Sequence, residues 1–445
     1  MSALNPRPDT IYALSSAPGR AGVAVIRVSG PCAQVSLSAL RAGRAVPQPR
    51  RAVLTDFTDP ASGAILDKGL ALWFPAPHSF TGEDVAELHV HGGRAVLAAI
   101  FGALSSMPGL RPAEPGEFTR RAFDHGRLDL TEVEGLADLI AAETEAQRRQ
   151  ALRQMEGGLS ELVESWRRQV IALLAQVEAG LDFPDEDDAA DLIFPAQAVG
   201  ALRDSMAAYL KSGTTRGQLI RQGARVVLLG PPNVGKSSLL NALSRKEAAI
   251  VSPVPGTTRD AIEVPLDLGG YPVILTDTAG LRAEGDAIEQ EGMRRALDHA
   301  DRADLVLRLM DPLAPEAPLT AGNGLIVVTK RDIGPPDPPL HGPHVHYVSA
   351  VTGAGLDDLT SAIVAHIKQA AETGLAQESP VLTRHRHRLA LQDAIEGLTR
   401  SLSAPAAELA AEDLRLSARA LERLIGRIDV EDILDAVFRE FCIGK

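Results

Sequence analysis

Apolar and polar positions alternate in three successive textures along the chain. From Ile11 to about Phe123 short apolar segments are punctuated by Gly and Pro; Val23–Val28, Gly69–Phe74 and Val85–Val90 read as strands and Ala95–Leu104 as a helix, which predicts a compact mixed α/β domain. From Leu128 the period lengthens. Leu159, Leu162, Val163, Trp166, Val170, Leu173, Leu174 and Val177 recur at steps of three and four, one apolar stripe on a long helix. An acidic run, Asp182–Asp191, reads as a solvated linker, and a further helical stretch reaches about Lys211. At Arg225 the texture changes again: Val226–Leu229, Val273–Leu275, Leu305–Met310, Leu325–Val328 and Val345–Val348 are continuous apolar runs separated by helical spans, the pattern of a buried parallel sheet. Beyond about Lys368 helical spacing returns in Leu389–Leu402, Ala406–Ile425 and Val430–Phe441. The economical arrangement inserts the second α/β domain into a helical domain built from both flanks.

Length and charge narrow the class. The 445 residues suit about three domains, and 45% hydrophobic with 23% charged residues exclude wholesale disorder. A net charge of −13 excludes a global positive field, so any nucleic-acid contact must use a local patch. Cys32 and Cys442 belong to no CxxC pair or zinc spacing, which fits a reducing compartment. No apolar run approaches the roughly 18 residues that span a bilayer, and Met1–Asp9 lacks a signal-peptide core. A soluble cytoplasmic protein with no membrane partner is expected.

The chemistry concentrates in the second α/β segment. Gly230-Pro-Pro-Asn-Val-Gly-Lys-Ser237 matches GxxxxGK[ST] between a strand and the helical run Ser238–Leu243. Glycines there let the backbone curl around phosphate, the helix N-terminus adds positive potential, Lys236 reaches the β and γ oxygens, and Ser237 offers a hydroxyl to magnesium. Gly256-Thr-Thr-Arg-Asp260 is placed to complete the magnesium shell only when γ-phosphate is present, as a first switch. Asp277-Thr-Ala-Gly280 ends a strand and puts a carboxylate near the metal's outer ligands, as a second switch. In Thr329-Lys-Arg-Asp332 the last carboxylate can accept both N1–H and the 2-amino group of guanine, a donor pair adenine lacks. Ser349-Ala350 would support the guanine carbonyl. GTP is therefore the expected nucleotide.

Leu281 follows the glycine of the second switch, and an aliphatic side chain cannot orient water. Another polar group must do so. Glu284, Asp286, Glu289 and Glu291 are the candidates, and the residue types alone do not choose among them; Asn233 can hold a monovalent cation in place of an arginine finger.

With these motifs stand Pro18-Gly-Arg-Ala-Gly22, Ser79-Phe-Thr-Gly-Glu-Asp84, Pro115-Gly-Glu-Phe118, Arg127-Leu-Asp-Leu130, Asp182-Phe-Pro-Asp-Glu186 and the terminal Phe441-Cys-Ile-Gly-Lys445. Over essentially its whole length the chain resembles the tRNA modification GTPases called MnmE or TrmE. The resemblance implies a multidomain α/β protein: an N-terminal folate-binding and dimerisation domain (1–123), a discontinuous all-α helical domain (124–222 and 371–445) and an inserted Ras-like G domain with a mostly parallel sheet (223–370). It implies GTP contacts from Asn233, Val234, Gly235, Lys236, Ser237, Ser238, Ser252, Pro253, Val254, Pro255, Gly256, Thr257, Thr258, Asp277, Thr278, Ala279, Gly280, Thr329, Lys330, Asp332, Ser349 and Ala350. Magnesium would take Ser237 and Thr258; potassium would take Asn233, Ser252, Val254 and Thr257; Glu289 would orient the attacking water. Thr329 departs from the asparagine of many GTPases, and its hydroxyl retains part of the hydrogen bonding. Arg27, Glu87, Arg127 and Lys445 look like folate contacts, a carboxylate for the pterin edge and cations for the glutamate tail; the family usually has lysine where Arg127 stands. The implied assembly is a homodimer with a flavoprotein partner, MnmG (GidA), that carries FAD. Together they would install a carboxymethylaminomethyl or aminomethyl group on C5 of the wobble uridine of certain tRNAs, with 5,10-methylene- or formyl-tetrahydrofolate as one-carbon source.

Weaker signals remain. Glu87, His89 and His91 share a strand face at a spacing superficially like a metal site, although ordinary strand residues are the simpler reading. Arg384-His-Arg-His-Arg388, the most basic short run, fits a solvated helix start better than a tRNA contact. Cys442, near Phe438 and Phe441, reads as a packed thiol. The competing functional class is a GTP-dependent binding switch or ribosome-assembly scaffold without tRNA chemistry. No flavin-binding GxGxxG unit is present, which places any redox step in a partner.

Overall fold

A computed structural model describes residues 9–182, 194–246, 262–277, 298–313, 324–334, 340–372 and 380–428, together with 434, 437–439, 441, 444 and 445. Contacts divide the chain into two compact units, residues 1–137 with 425–445, and residues 138–424.

The first unit is built on a six-stranded sheet. Its strands are β1 (Thr10–Leu14), β2 (Ala24–Ser29), β3 (Val53–Thr58), β4 (Ile65–Phe74), β5 (Val85–Val90) and β6 (Leu110–Pro112), ordered β3-β4-β5-β2-β1-β6, all antiparallel except β1 with β6. Helices α1 (Ala33–Ala39) and α2 (Arg94–Ser105) cover one face. Ile26, Val28, Phe57, Trp73 and Leu88 pack there with Leu37, Ile100 and Leu104. Because side chains alternate across a strand, Arg27 and Glu87 emerge on the opposite face as a directly paired couple. That face receives α3 (Glu117–Asp124), whose Phe118 is fully buried with Ile11, Ala13 and Ala113. Leu130 and Val133 of α4 (Leu130–Ile140) cluster with Leu434, Val437, Phe438 and Phe441.

Five ionised side chains tie α3 to the loop before β5. Arg121 donates to Asp9, Glu83 and Glu117; Arg111 grips Asp9 and Glu117; Ser29 donates to Glu83 at 2.7 Å. Burial opposes ionisation of Glu117, yet hydrogen bonds from Arg111, the Glu114 backbone and Arg121 hold its carboxyl below the usual range. The string Ser79–Asp84 is thereby fixed against Pro115–Phe118.

The second unit carries helices on either side of another six-stranded sheet. Helices α5 (Glu145–Met155), α6 (Gly158–Asp182) and α7 (Ala196–Gln222) precede it. The apolar stripe of α6 turns inward at Leu159, Val163, Trp166, Val170, Leu173 and Val177, with the Trp166 ring edge-on to Tyr209 at 5.2 Å. The sheet comprises β7 (Ala224–Leu229), β8 (Ile262–Leu268), β9 (Tyr271–Asp277), β10 (Leu305–Met310), β11 (Gly324–Val328) and β12 (Val345–Tyr347), with α8 (Lys236–Lys246) after β7 and α9 (Leu356–Glu372) after β12. Its order, β12-β11-β10-β7-β9-β8, is parallel except for the edge pair β8–β9. Successive neighbours lie on opposite sides of β7, so ligands are expected beyond its carboxyl end. Helices α10 (His385–Leu402) and α11 (Ala407–Ile425) follow.

The basic run at the start of α10 is not a cationic surface. Arg384 donates to Asp138, Arg386 to the Leu424 carbonyl, and His387 is fully buried. The acidic run lies outside the described residues beyond Asp182. Among the described residues no helix is long and apolar enough to cross a membrane.

Candidate functional sites

The loop leaving β7 bends through two left-handed residues, Asn233 (φ 61°) and Gly235 (φ 104°), before α8 begins at Lys236. At Gly230 a Cβ would meet the Leu309 carbonyl at 2.8 Å and the Val234 side chain at 3.2 Å, so only glycine fits. Lys236 is nearly buried, and its ammonium donates to the carbonyls of Gly230 (2.6 Å) and Pro231 (2.9 Å) inside the loop it must serve. Phosphate oxygens can replace those carbonyls at little cost. Ser237 Oγ donates to Asp277 Oδ2 at 2.6 Å, which brings the two groups read as magnesium-directed into contact. A hydroxyl and a buried carboxylate so placed fit a hard cation at the head of α8.

The strand ends expected to recognise the base lie beside this loop. Thr329 Oγ1 lies 2.7 Å from the Val234 carbonyl and 3.0 Å from that of Met310, so the residue standing in place of asparagine staples the phosphate loop to β11. Lys330 adopts a left-handed backbone (φ 55°) and pairs with Asp311, whose carboxyl that hydrogen bond holds below its ordinary range. Arg331 N–H donates to Val348 (3.0 Å), leaving Asp332 exposed beyond a fixed backbone. Ser349 is buried; its Oγ accepts from Thr352 N–H at 3.1 Å, which shapes the turn that begins at Ala350. Asp311 was not singled out from sequence; its only signal is its place just past a continuous apolar strand.

A Thr329→Val variant keeps the volume and removes the donor. Leaving a buried carbonyl unsatisfied costs about 1–3 kcal/mol, and a nucleotide titration is expected to show GTP affinity reduced roughly tenfold or more. Unchanged affinity would mean that the staple does not shape the loop.

Ser252, Pro253, Val254, Pro255, Gly256, Thr257, Thr258, Thr278, Ala279, Gly280 and Glu289 lie outside the described residues, as does Cys442.

In the first unit, Arg27 Nη2 and Nε donate to Glu87 Oε1 at 2.9 and 3.1 Å, and His89 Nε2 approaches Oε2 at 3.3 Å. The guanidinium also sits 5.2 Å from the Phe80 ring and 5.8 Å from Phe118, within cation–π range. Neither aromatic was assigned a role from sequence, although both stand in the strings Ser79–Asp84 and Pro115–Phe118. His91 turns to Asp67 at 2.8 Å, away from the Glu87–His89 couple, and among the described residues no group of three or more His, Cys, Asp or Glu could hold a metal. Arg127 is exposed, its Cγ facing Gly82; Lys445 follows Gly444, whose carbonyl accepts from Ser15 Oγ at 2.9 Å at the end of β1. The structure thus joins Arg27 and Glu87 directly, while Arg127 lies against Gly82 ahead of β5 and Lys445 lies beyond the end of β1.

A mostly parallel sheet with a GxxxxGK[ST] loop at the head of β7, a lysine inside that loop, a serine–aspartate couple and, on the neighbouring strand ends, the aspartate read as guanine-directed define a P-loop GTPase. Comparison with known proteins refines this class. The family model described as GTP-binding protein TrmE N-terminus matches residues 10–127, and that described as MnmE helical domain matches residues 130–442. The tRNA modification GTPase MnmE of Parvibaculum lavamentivorans is 55% identical over 446 residues, covering 98% of this chain and 100% of the relative. That of Rhodospirillum rubrum is 52% identical over 458 residues, covering 98% and 99%. Among solved structures the G domain of the T. maritima FeoB iron transporter is 28% identical over 34% of this chain and 99% of its own, with a TM-score of 0.25. The chain belongs to the MnmE (TrmE) family of tRNA modification GTPases.

Proposed function

We propose that this GTPase acts in tRNA wobble-uridine modification as a potassium-activated, GTP-driven partner of an FAD-bearing flavoprotein of the MnmG (GidA) kind. Residues 223–370 serve as the G domain between helical segments 124–222 and 371–445, and residues 1–123 as the folate-binding and dimerisation domain of a cytoplasmic homodimer. The observation that carries the reading is that one chain holds both a guanine-nucleotide loop and a separate Arg27–Glu87 couple flanked by aromatic rings. A generic GTP switch has no use for the second.

In the G domain Lys236 exchanges its carbonyl partners for phosphate oxygens, and backbone N–H groups at the head of α8 take the remaining charge. Ser237 and Thr258 are assigned to magnesium, with Asp277 orienting Ser237. Asn233, Ser252, Val254 and Thr257 are assigned to potassium, which supplies the positive charge an arginine finger gives elsewhere. Glu289 orients water where Leu281 cannot. In the N-terminal domain Glu87 receives the pterin edge, Arg27 orients Glu87 while presenting charge between Phe80 and Phe118, and Arg127 and Lys445 attract the glutamate tail. 5,10-Methylene- or formyl-tetrahydrofolate would supply the carbon that joins C5 of the wobble uridine, while the G domain's hydrolysis times the cycle.

Steady-state hydrolysis in magnesium, compared in potassium and sodium at equal ionic strength, tests the G-domain half. Potassium is expected to be required for full turnover, and equal rates would overturn cation activation. Glu289→Ala is expected to lower turnover by about two to four orders of magnitude, the range for a positioned polar catalyst, with GTP affinity retained. Undiminished turnover would remove Glu289 from its role.

A further inference from the structure

The charge of the chain is unevenly distributed, and the exception lies in the first unit. From Thr10 to Thr55 there are six arginines and not one aspartate or glutamate, in a protein whose net charge is −13. Arg27 is taken by Glu87, and Arg41 is buried, donating to the Ala45 carbonyl and to Thr55 Oγ1. Arg20 lies in the β1–β2 connection, at the opposite end of the sheet from the loop joining α1 to β3. The remaining three, Arg44, Arg50 and Arg51, occupy that loop and are exposed.

The loop holds them by its own architecture. Gly43 N–H and Ser38 Oγ close its first turn, the latter donating to the Arg44 carbonyl at 2.9 Å. Arg51 N–H donates to Gln48 in a second turn, and Arg50 is anchored through its N–H to Trp73 and through its guanidinium to the His78 carbonyl. Among the described residues Arg44, Arg50 and Arg51 form no ion pair, whereas Arg148, Arg149, Arg400 and Arg415 each grip a carboxylate. Single exposed arginines such as Arg94 and Arg168 are also without one, but this loop gathers three within eight residues. Burial and the nearby charge of Arg44 push the Arg41 guanidinium below its ordinary value, the mark of like charges gathered without a counter-ion.

We infer that the Arg44–Arg51 loop is a docking surface for the phosphodiester backbone of RNA, which on the reading above is the substrate tRNA. Guanidinium forks match phosphate oxygens in pairs, and contacts of this kind set position without reading sequence. An acidic protein would be a poorer fit, because the aromatic and arginine anchors of protein interfaces work in fully desolvated pockets, whereas these three arginines stand exposed along a loop. The larger apolar residues of the loop turn away: Leu40 and Pro47 are buried, and Val46 packs on the core. Besides the small Ala42, Ala45 and Pro49, what it offers to solvent is chiefly the three guanidinium groups.

Arg44→Gln with Arg51→Gln in the full chain removes two of the charges and spares Arg50, which the fold uses. Binding of an unmodified tRNA transcript is measured by anisotropy across a potassium chloride series, with nucleotide hydrolysis and melting followed as controls. The double variant is expected to bind roughly tenfold more weakly, with the slope of log affinity against log salt reduced by about 1 per arginine. Arg148→Gln with Arg149→Gln, the same charge removed from α5, is expected to leave the slope unchanged. Equal affinity and slope in the Arg44/Arg51 variant and the parent would overturn the inference and leave the functional reading standing. Equal losses from both pairs would also overturn it, since net charge alone would then be acting. Retained tRNA binding with lost capture of the flavoprotein would make the loop a protein surface, again against the inference. Absence of tRNA binding by the parent at every salt concentration would overturn both the inference and direct tRNA contact by this chain.

Discussion

An Asp332→Asn variant is expected to lose most of its affinity for GTP and to gain affinity for xanthosine triphosphate. A carboxylate can accept from guanine N1–H and from its 2-amino group together, and hydrogen bonds to a charged acceptor contribute about 1.5–3 kcal/mol each. Asparagine accepts one of these and opposes an N–H to the other. Losing even one such bond, with a donor then facing a donor, lowers GTP affinity by about two orders of magnitude. Xanthine carries a carbonyl where guanine has the amino group, so the same amide complements it. The backbone is pinned on both sides, by the Thr329 N–H donating to Met310 and that of Arg331 donating to Val348, so the exchange is local. Competition between the two triphosphates for the parent and the variant is the measurement. A variant that keeps the parent's guanine preference would show that Asp332 does not read the base.

Replacing Arg121 by methionine is expected to destabilise the first unit by about 3–5 kcal/mol, the usual cost of removing one partner from a buried ionic network. Its guanidinium is 12% exposed and bridges three carboxylates; Arg111 still compensates Asp9 and Glu117, while Glu83 keeps only Ser29 among its hydrogen bonds described above. The effect should depend on pH, with a definite sign. In the parent, Glu117 is held below its unfolded value of 4.5 by hydrogen bonds from Arg111 and Arg121 that outweigh burial. That contribution is present above about pH 4.5 and is lost as pH falls through the lower folded value. In the variant, Glu117 no longer has the Arg121 hydrogen bond, so less of that contribution is present to be lost on acidification. The stability difference between the two proteins is therefore expected to narrow from pH 7 towards pH 4. Urea unfolding at several pH values measures it, and a difference independent of pH would mean that packing, not charge, is what Arg121 contributes.

How much of this was legible depended on what each residue had to bury. Continuous apolar runs announced β7, β10 and β11 because strands covered on both faces tolerate little else. The edge strand β8 went unread: Glu263, Pro265 and Asp267 interrupt it, and only an edge position accepts them. Helix α5 was also missed, since the side chains it buries include Gln150 and Gln154, which no hydrophobic period reveals. Its capping box, Thr144 with Gln147, was the available signal. The nucleotide loop could be placed from spacing alone because phosphate binding fixes backbone geometry. The Arg27–Glu87 couple could not, since a strand pair of opposite charges is ordinary until Phe80 and Phe118 are seen around it. The basic run Arg384–Arg388 carries the opposite lesson: Asp138 and the Leu424 carbonyl, distant in sequence, draw it inward.

The chain contains two tryptophans, and the fold gives one to each compact unit: Trp73 in the core beneath the first sheet and Trp166 on α6 against Tyr209. Each is about 5% exposed. Intrinsic fluorescence is therefore partitioned by construction. With Trp73→Phe the emission reports on the helical layer beside the nucleotide sheet, and with Trp166→Phe on the unit that holds Arg27 and the arginine loop. The two halves of a nucleotide cycle can be timed separately in the same protein, without an attached dye.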